Sequence, residues 1–156
     1  MKAEWINPFL NATVNVLSTM AQTTATAGKP HLKKDSTTFG EVTGVIGMSG
    51  ANVAGNMIIS FDKTAILNIV SQMLGEAYQE INKDIVDAVG EITNMICGGA
   101  KTELTPLGLD IQMASPIMLC GKGTEINQLG ETPVLVIPFS TPNGSFVVEA
   151  SLAVKK

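Results

Sequence analysis

The segment 82–104 constrains this chain more than any other. Ile85, Val89, Ile92, Ile96 and Ala100 recur at spacings of four, three, four and four, which aligns them along one side of an α-helix. Pro106 and Gly108 close that helix. An amphipathic helix must bury its apolar stripe, and the flanking sequence supplies strands for it to lie on. Two apolar runs, 42–48 and 53–61, are separated by Ser49-Gly50-Ala51-Asn52 and read as a hairpin. Further β-like runs cover 111–120, 133–139 and 145–154, the last two joined by Thr141-Pro142-Asn143-Gly144. Asn-Gly between apolar runs is a strong hairpin signal. Asp62 caps a helix over 63–74 that Gly75 ends. Residues 5–21 follow a rough helical period, with Pro8 in the first turn and Asn7 as cap. Residues 22–37 read as loop or edge strand. The fold class is α+β, a largely antiparallel sheet with long helices packed on it.

The two hairpins resemble one another. Val45-Ile46 matches Val136-Ile137, Ser49 matches Ser140 and Asn52 matches Asn143, all at one offset, and a helix precedes each hairpin. An internal duplication of a helix-plus-sheet unit accounts for this; shared turn chemistry is the alternative.

Composition removes several functions. The chain has 156 residues, enough for a single domain with a real core. Its net charge of −4 and its five Phe, one Trp and one Tyr leave no basic surface and few stacking platforms for nucleic acid. The single histidine, His31, sits in a Gly-Lys-Pro-His-Leu-Lys-Lys stretch that reads as loop. With only Cys97 and Cys120 beside it, the chain cannot assemble a tetrahedral zinc site, and no histidine-based nucleophilic triad is at hand. No metal site is expected. Both cysteines are expected reduced and buried, in a cytoplasmic protein. No apolar run reaches membrane-spanning length, and Asn7, Pro8, Asn11 and Asn15 interrupt any signal-peptide core. Gly121-Lys122-Gly123-Thr124 lacks the full spacing of a phosphate loop and reads as a turn. The eight methionines are spread over every element, as core fillers are.

What remains is the other side of the long helix. At about 100° per residue, Asp87, Glu91, Asn94, Gly98 and Lys101 share one face opposite the apolar stripe. Gly90, Gly98 and Gly99 lie inside the helix, where each costs roughly 1 kcal/mol relative to Ala. Helix physics leaves three readings: a solvated face, a surface for close packing inside the fold, or a face that another molecule approaches.

The segment Asp84–Lys101 resembles the signature of the CheC/CheX family of chemotaxis phosphatases. Asp87, Glu91 and Asn94 match its first three positions, and Pro116 follows after 21 intervening residues, about one short of the family's spacing. The continuation Met-Ile-Cys-Gly-Gly-Ala-Lys and the hairpin over 44–61 are similar to the family's as well, so the likeness runs from about residue 5 to 154. The first helix offers Asn11, Asn15 and Ser18 where a second active helix would need Glu and Asn at the latter two positions. One site per chain resembles the CheX branch, whose members dimerise through their sheets.

The resemblance implies a phosphatase for the aspartyl phosphate of a CheY-type response regulator. The receiver brings its own Mg²⁺, so no cofactor of the chain's own is expected. Positioning is most of what such a reaction needs. Asn94 would orient the attacking water, since an amide both accepts and donates and, unlike a carboxylate, does not repel phosphoryl oxygens. Glu91 would pair with the receiver's active-site lysine. Asp87, Gly98 and Pro116 would border the docked partner. The alternatives are a non-catalytic receiver-binding adaptor or motor-switch-like module, and a structural dimer with an idle helix face.

Overall fold

Alternation along the strands decides the layers. In Val53–Phe61, the residues Val53, Met57, Ile59 and Phe61 are buried in one cluster with Ile137, Phe139, Phe146, Val148, Ala150 and Leu152 from the last two strands. Side chains alternate across a sheet, so these odd and even sets define a single inner face. A computed structural model, describing residues 2–126 and 132–154, shows what lies on it. Three helices, α1 (Ala3–Ala21), α2 (Lys63–Leu74) and α3 (Lys83–Leu104), pack on one antiparallel sheet. The strands are β1 (Thr26–Ala27), β2 (His31–Leu32), β3 (Val42–Ser49), β4 (Val53–Phe61), β5 (Gln112–Met113), β6 (Ile117–Cys120), β7 (Leu135–Thr141) and β8 (Gly144–Val154). Their order is β1-β7-β8-β4-β3-β5, with β2 also on β7 and β6 also on β3. The α+β reading and the antiparallel sheet hold. No helix among the described residues is long and apolar enough to cross a membrane.

The two hairpins share their register to the residue. Val45 pairs with Ile58 in the first; Val136 and Glu149, each 91 positions on, pair in the second. The same shift carries Gly44–Ile59 onto Leu135–Ala150. The β4–β8 pairing, from Val53–Val154 to Phe61–Phe146, joins the halves at the centre. A hairpin's turn fixes the register of its whole ladder, so the common register agrees with a duplication and equally with shared turn chemistry.

Three expectations need correction. Helix α1 begins at Ala3 with Lys2 as cap, so Pro8 lies inside it and Asn7 is no cap. Only the carbonyl of the residue four before Pro8, in the first turn, loses its partner, and Pro8 is buried in exchange. The run 111–120 is two strands, β5 and β6, interrupted around Pro116, which has no N–H for the ladder. Cys97 is buried, and burial pushes its thiol up to about 11; Cys120 is exposed, because it ends an edge strand with neighbours on one side only.

The outer face is also covered in part. Thr43 and Ser60 join hydroxyls at 2.7 Å, and Ser60 Oγ accepts from Gly40 N at 2.8 Å. The segment 33–41 crosses this face, held by Lys33 N to Val134 O (2.9 Å) and Thr38 N to Thr124 O (2.9 Å). Lys33 Nζ reaches Glu149 Oε2 at 3.0 Å and Thr37 O at 2.9 Å.

Candidate functional site

Helix α3 is a firmly seated platform. Asn82 caps it, its side chain accepting from Ile85 N at 3.1 Å. Ile85, Val89, Ile92, Ile96, Ala100 and Leu104 are all fully buried, as the periodicity predicts. Two glycines let it sit close to its neighbours. Gly44 of β3 lies directly under Thr93, and a methyl group there would run into the Thr93 hydroxyl, itself bonded to Val89 O at 2.7 Å. Gly99 faces α1, where a Cβ would come within 3.0 Å of the Ala12 methyl. Gly90 meets the Met118 sulfur of β6 in ordinary contact. Sheet, edge strand and α1 thus hold three sides of α3 and leave the fourth open.

That fourth side carries the expected residues. Asp87 and Glu91 are exposed, and Asn94 and Gly98 are half-buried. Glu91 and Asn94 make no side-chain hydrogen bond or ion pair with any described residue. A carboxylate and an amide, about one turn apart on a rigid rod, are therefore free to engage something else. A Cβ added at Gly98 would meet nothing within 4 Å. Of the three interior glycines, only Gly99 has a neighbour that needs the space; Gly98 has none within 4 Å, so internal packing does not explain it.

Asp87 is less free. Lys83 Nζ holds its Oδ2 at 2.7 Å across one turn, and this bond pushes the lysine pKa up. Both groups are well exposed, so the pair opens at little cost. Pro116 is half-buried and sits two residues before Met118, on the edge that packs against Gly90. It thus leads into the strand flanking the site, on another element than Glu91 and Asn94. Lys101 is half-buried one turn beyond Gly98. On α1, Asn11, Asn15 and Ser18 are exposed, and Asn11 Nδ2 donates to Glu103 Oε1 at 3.2 Å. The sequence pattern did not reveal Lys83 as the partner of Asp87, although the i,i+4 spacing is the usual signal for it. The Gly44–Thr93 and Gly99–Ala12 approaches depend on which helices meet, which no local pattern encodes. The described residues contain no cluster of three or more His, Cys, Asp or Glu side chains placed to hold a metal.

The family model for Chemotaxis phosphatase CheX matches residues 42–140, which span β3 through most of β7 and include all of α3. The chain belongs to the CheX family. A CheY-P phosphatase CheX of Thermotoga maritima is 26% identical over 141 residues, covering 90% of this chain and 89% of that protein. The crystal structure of the chemotaxis protein CheX from Vibrio vulnificus is 43% identical, covers 97% of this chain and 100% of its own, and superposes with a TM-score of 0.90. A CheX–CheY–BeF3–Mg²⁺ complex from Borrelia burgdorferi contains a chain 26% identical to this one, with 99% and 100% coverage and a TM-score of 0.78. The CheX relatives share the sheet and its helices over essentially their whole length.

Proposed function

We infer that this protein hydrolyses the aspartyl phosphate of a CheY-type response regulator. The observation that carries the reading is the open face of α3, with Glu91 and Asn94 unpartnered among the described residues and bare Gly98 beside them, in a chain of the CheX family. Docking lays that face over the receiver's phosphorylation site. Glu91 pairs with a receiver cation and fixes the register, a role in which an ion pair contributes orientation more than net energy. Asn94 holds one water in line with phosphorus, accepting through Oδ1 and donating through Nδ2. The water oxygen bonds to phosphorus, the bond from phosphorus to the acyl oxygen breaks, and the receiver aspartate leaves as carboxylate. The proton passes to solvent, and inorganic phosphate departs. The receiver's Mg²⁺ neutralises the phosphoryl oxygens. Such a leaving group needs no general acid, so the exposed His31 has no part in the reaction.

A receiver phosphorylated by a small-molecule phosphodonor, with its decay followed in the presence and absence of this protein, tests the reading. Accelerated decay supports hydrolysis. Stable binding with an unchanged decay rate makes the protein an adaptor instead.

Gly98 gives a test of docking that separates it from folding. Gly98→Ala relieves a helix penalty of roughly 1 kcal/mol without meeting any neighbour, so thermal unfolding moves upward. Gly98→Leu also leaves the fold intact, but its side chain stands where the receiver must approach, and the KM for phosphorylated receiver rises steeply. A Gly98→Leu variant with unchanged KM would remove this face from the docking surface.

A homodimer and a cytoplasmic location, where phosphorylated receivers reside, belong to the same reading. Strand β6 pairs only with β3 among the described residues, and its Ile117 is 64% exposed. A second copy adding to that edge would complete its hydrogen bonding. Light scattering is expected to give twice the chain mass; a monomer at micromolar concentration contradicts this.

A further inference from the structure

The face of the sheet turned away from α3 has a cavity that the phosphatase reading does not use. It lies between the segment 31–39 and the outer side chains of β7 and β8, with a volume of about 450 Å³, inside the range of small-molecule sites. Its apolar walls are Val136, Pro138, Val147 and Phe39. In that wall stands Glu149, whose side chain is only 2% exposed. At the corresponding pairing position of the β3–β4 hairpin is Ile58, equally buried. A carboxylate therefore occupies a place where the same fold is satisfied by an aliphatic side chain.

The state of that carboxylate narrows what the cavity accepts. Lys33 binds Oε2 at 3.0 Å, and Oε1 is buried without a partner among the described residues. The charge is already balanced, so Oε1 lacks a neutral N–H or O–H donor and not a second cation; an unfilled buried acceptor costs about 1–3 kcal/mol. The rim has the opposite chemistry. His31 and Lys34 are exposed there and pair with no carboxylate among the described residues, within a chain of net charge −4. Asp35, the one rim acid among the described residues, is occupied by Thr37 N and Thr37 Oγ1 at 3.0 Å and lies 3.8 Å from Lys33. A flat apolar body with a neutral N–H at one end and an anion at the other satisfies all three demands.

We propose that this cavity binds a nucleotide, with an N–H of the base donated to Glu149, the base held between Phe39 and Pro138, and the phosphate at the rim beside Lys34 and His31. The site is separate from the α3 face, so its occupancy and the phosphatase reading fail or stand independently.

Isothermal titration of the full chain with GMP, AMP, UMP and inorganic phosphate tests this. At least one nucleotide is expected to bind with a dissociation constant below about 1 mM, at least tenfold tighter than inorganic phosphate. Lys34→Glu, a fully solvated change, weakens that nucleotide about tenfold and leaves receiver dephosphorylation unchanged. Val147→Trp fills the cavity and abolishes binding without altering charge; its circular dichroism and melting curve check that it folds. No binding by any of the three nucleotides overturns the proposal. So does equal affinity for inorganic phosphate, which reduces the site to a basic rim. So does nucleotide binding that Lys34→Glu leaves intact.

Discussion

Asn94→Ala is expected to return receiver dephosphorylation to the receiver's own rate while leaving the complex nearly as tight. Loss of a positioned water costs on the order of 100-fold when positioning is the main contribution. The fold does not suffer, because the Asn94 side chain makes no hydrogen bond with any described residue and Ala is the better helix former by about 0.5 kcal/mol. Asn94→Asp is the sharper control: it keeps the shape and an acceptor, removes the donor and adds a charge that repels phosphoryl oxygens. It should be as inactive as Asn94→Ala and should bind phosphorylated receiver less well. Glu91→Ala behaves differently, raising KM about tenfold or more because the receiver's cation loses its partner. The checks are initial rates against receiver concentration, paired with affinity for a receiver activated by beryllofluoride. Retained acceleration in Asn94→Ala would move the chemistry to another group.

The second large effect is on stability, at the opposite face of the sheet. Lys33→Ala leaves Glu149 buried and ionised without a counter-charge, which typically costs about 3–5 kcal/mol. It also frees Thr37 O, which Lys33 Nζ holds at 2.9 Å, so the strap over 33–38 loses its side-chain tie to the sheet while its backbone ties remain. Burial pushes the Glu149 pKa up, and Lys33 only partly opposes this. A folded-state pKa above the unfolded value means the group's contribution is fully present below the unfolded pKa and is lost as pH rises through the folded one. Removing Lys33 raises the folded pKa further and widens that window. Urea unfolding of Lys33→Ala should therefore show the full loss at about pH 8 and a much smaller one at about pH 4.5, where Glu149 is protonated in the folded state. Lys33→Leu combined with Glu149→Leu should recover most of the stability at every pH. A pH-independent loss in Lys33→Ala would mean that packing of the lysine stem, and not the charge, is what matters.

Helix α3 was legible because period and terminator agree: its stripe from Ile85 to Ala100 and Pro106 behind; its cap, Asn82, came only with the structure. Helix α2 runs from Lys63 to Leu74, between Asp62 and Gly75, for the same reason. Glu91, Asn94 and Gly98 could be placed on one face because a helix converts spacing into direction; that this face is open came from the structure. Interactions between distant parts of the chain were not legible. Lys33 and Glu149 are separated by 116 positions, and a lysine in a loop gives no sign that it will meet a strand glutamate. Pro8 and Asn7 mimic a helix start, yet α1 gains an extra turn ahead of them. Pro116 matches a spaced motif, but its place beside β6 depends on how an edge strand crosses α3. The two hairpins share a few residues at one offset, and their strand pairings carry the same offset.

The most direct test follows the side-chain amide of Asn94 by nuclear magnetic resonance as beryllofluoride-activated receiver is added, with Asn56 and Asn143 as references away from α3. The expected result is a large, saturable shift at Asn94 and smaller ones at Glu91 and Gly98, with none at the references. If the receiver binds and Asn94 remains silent while residues elsewhere respond, the amide does not reach the phosphate, and the open face of α3 is not the active surface.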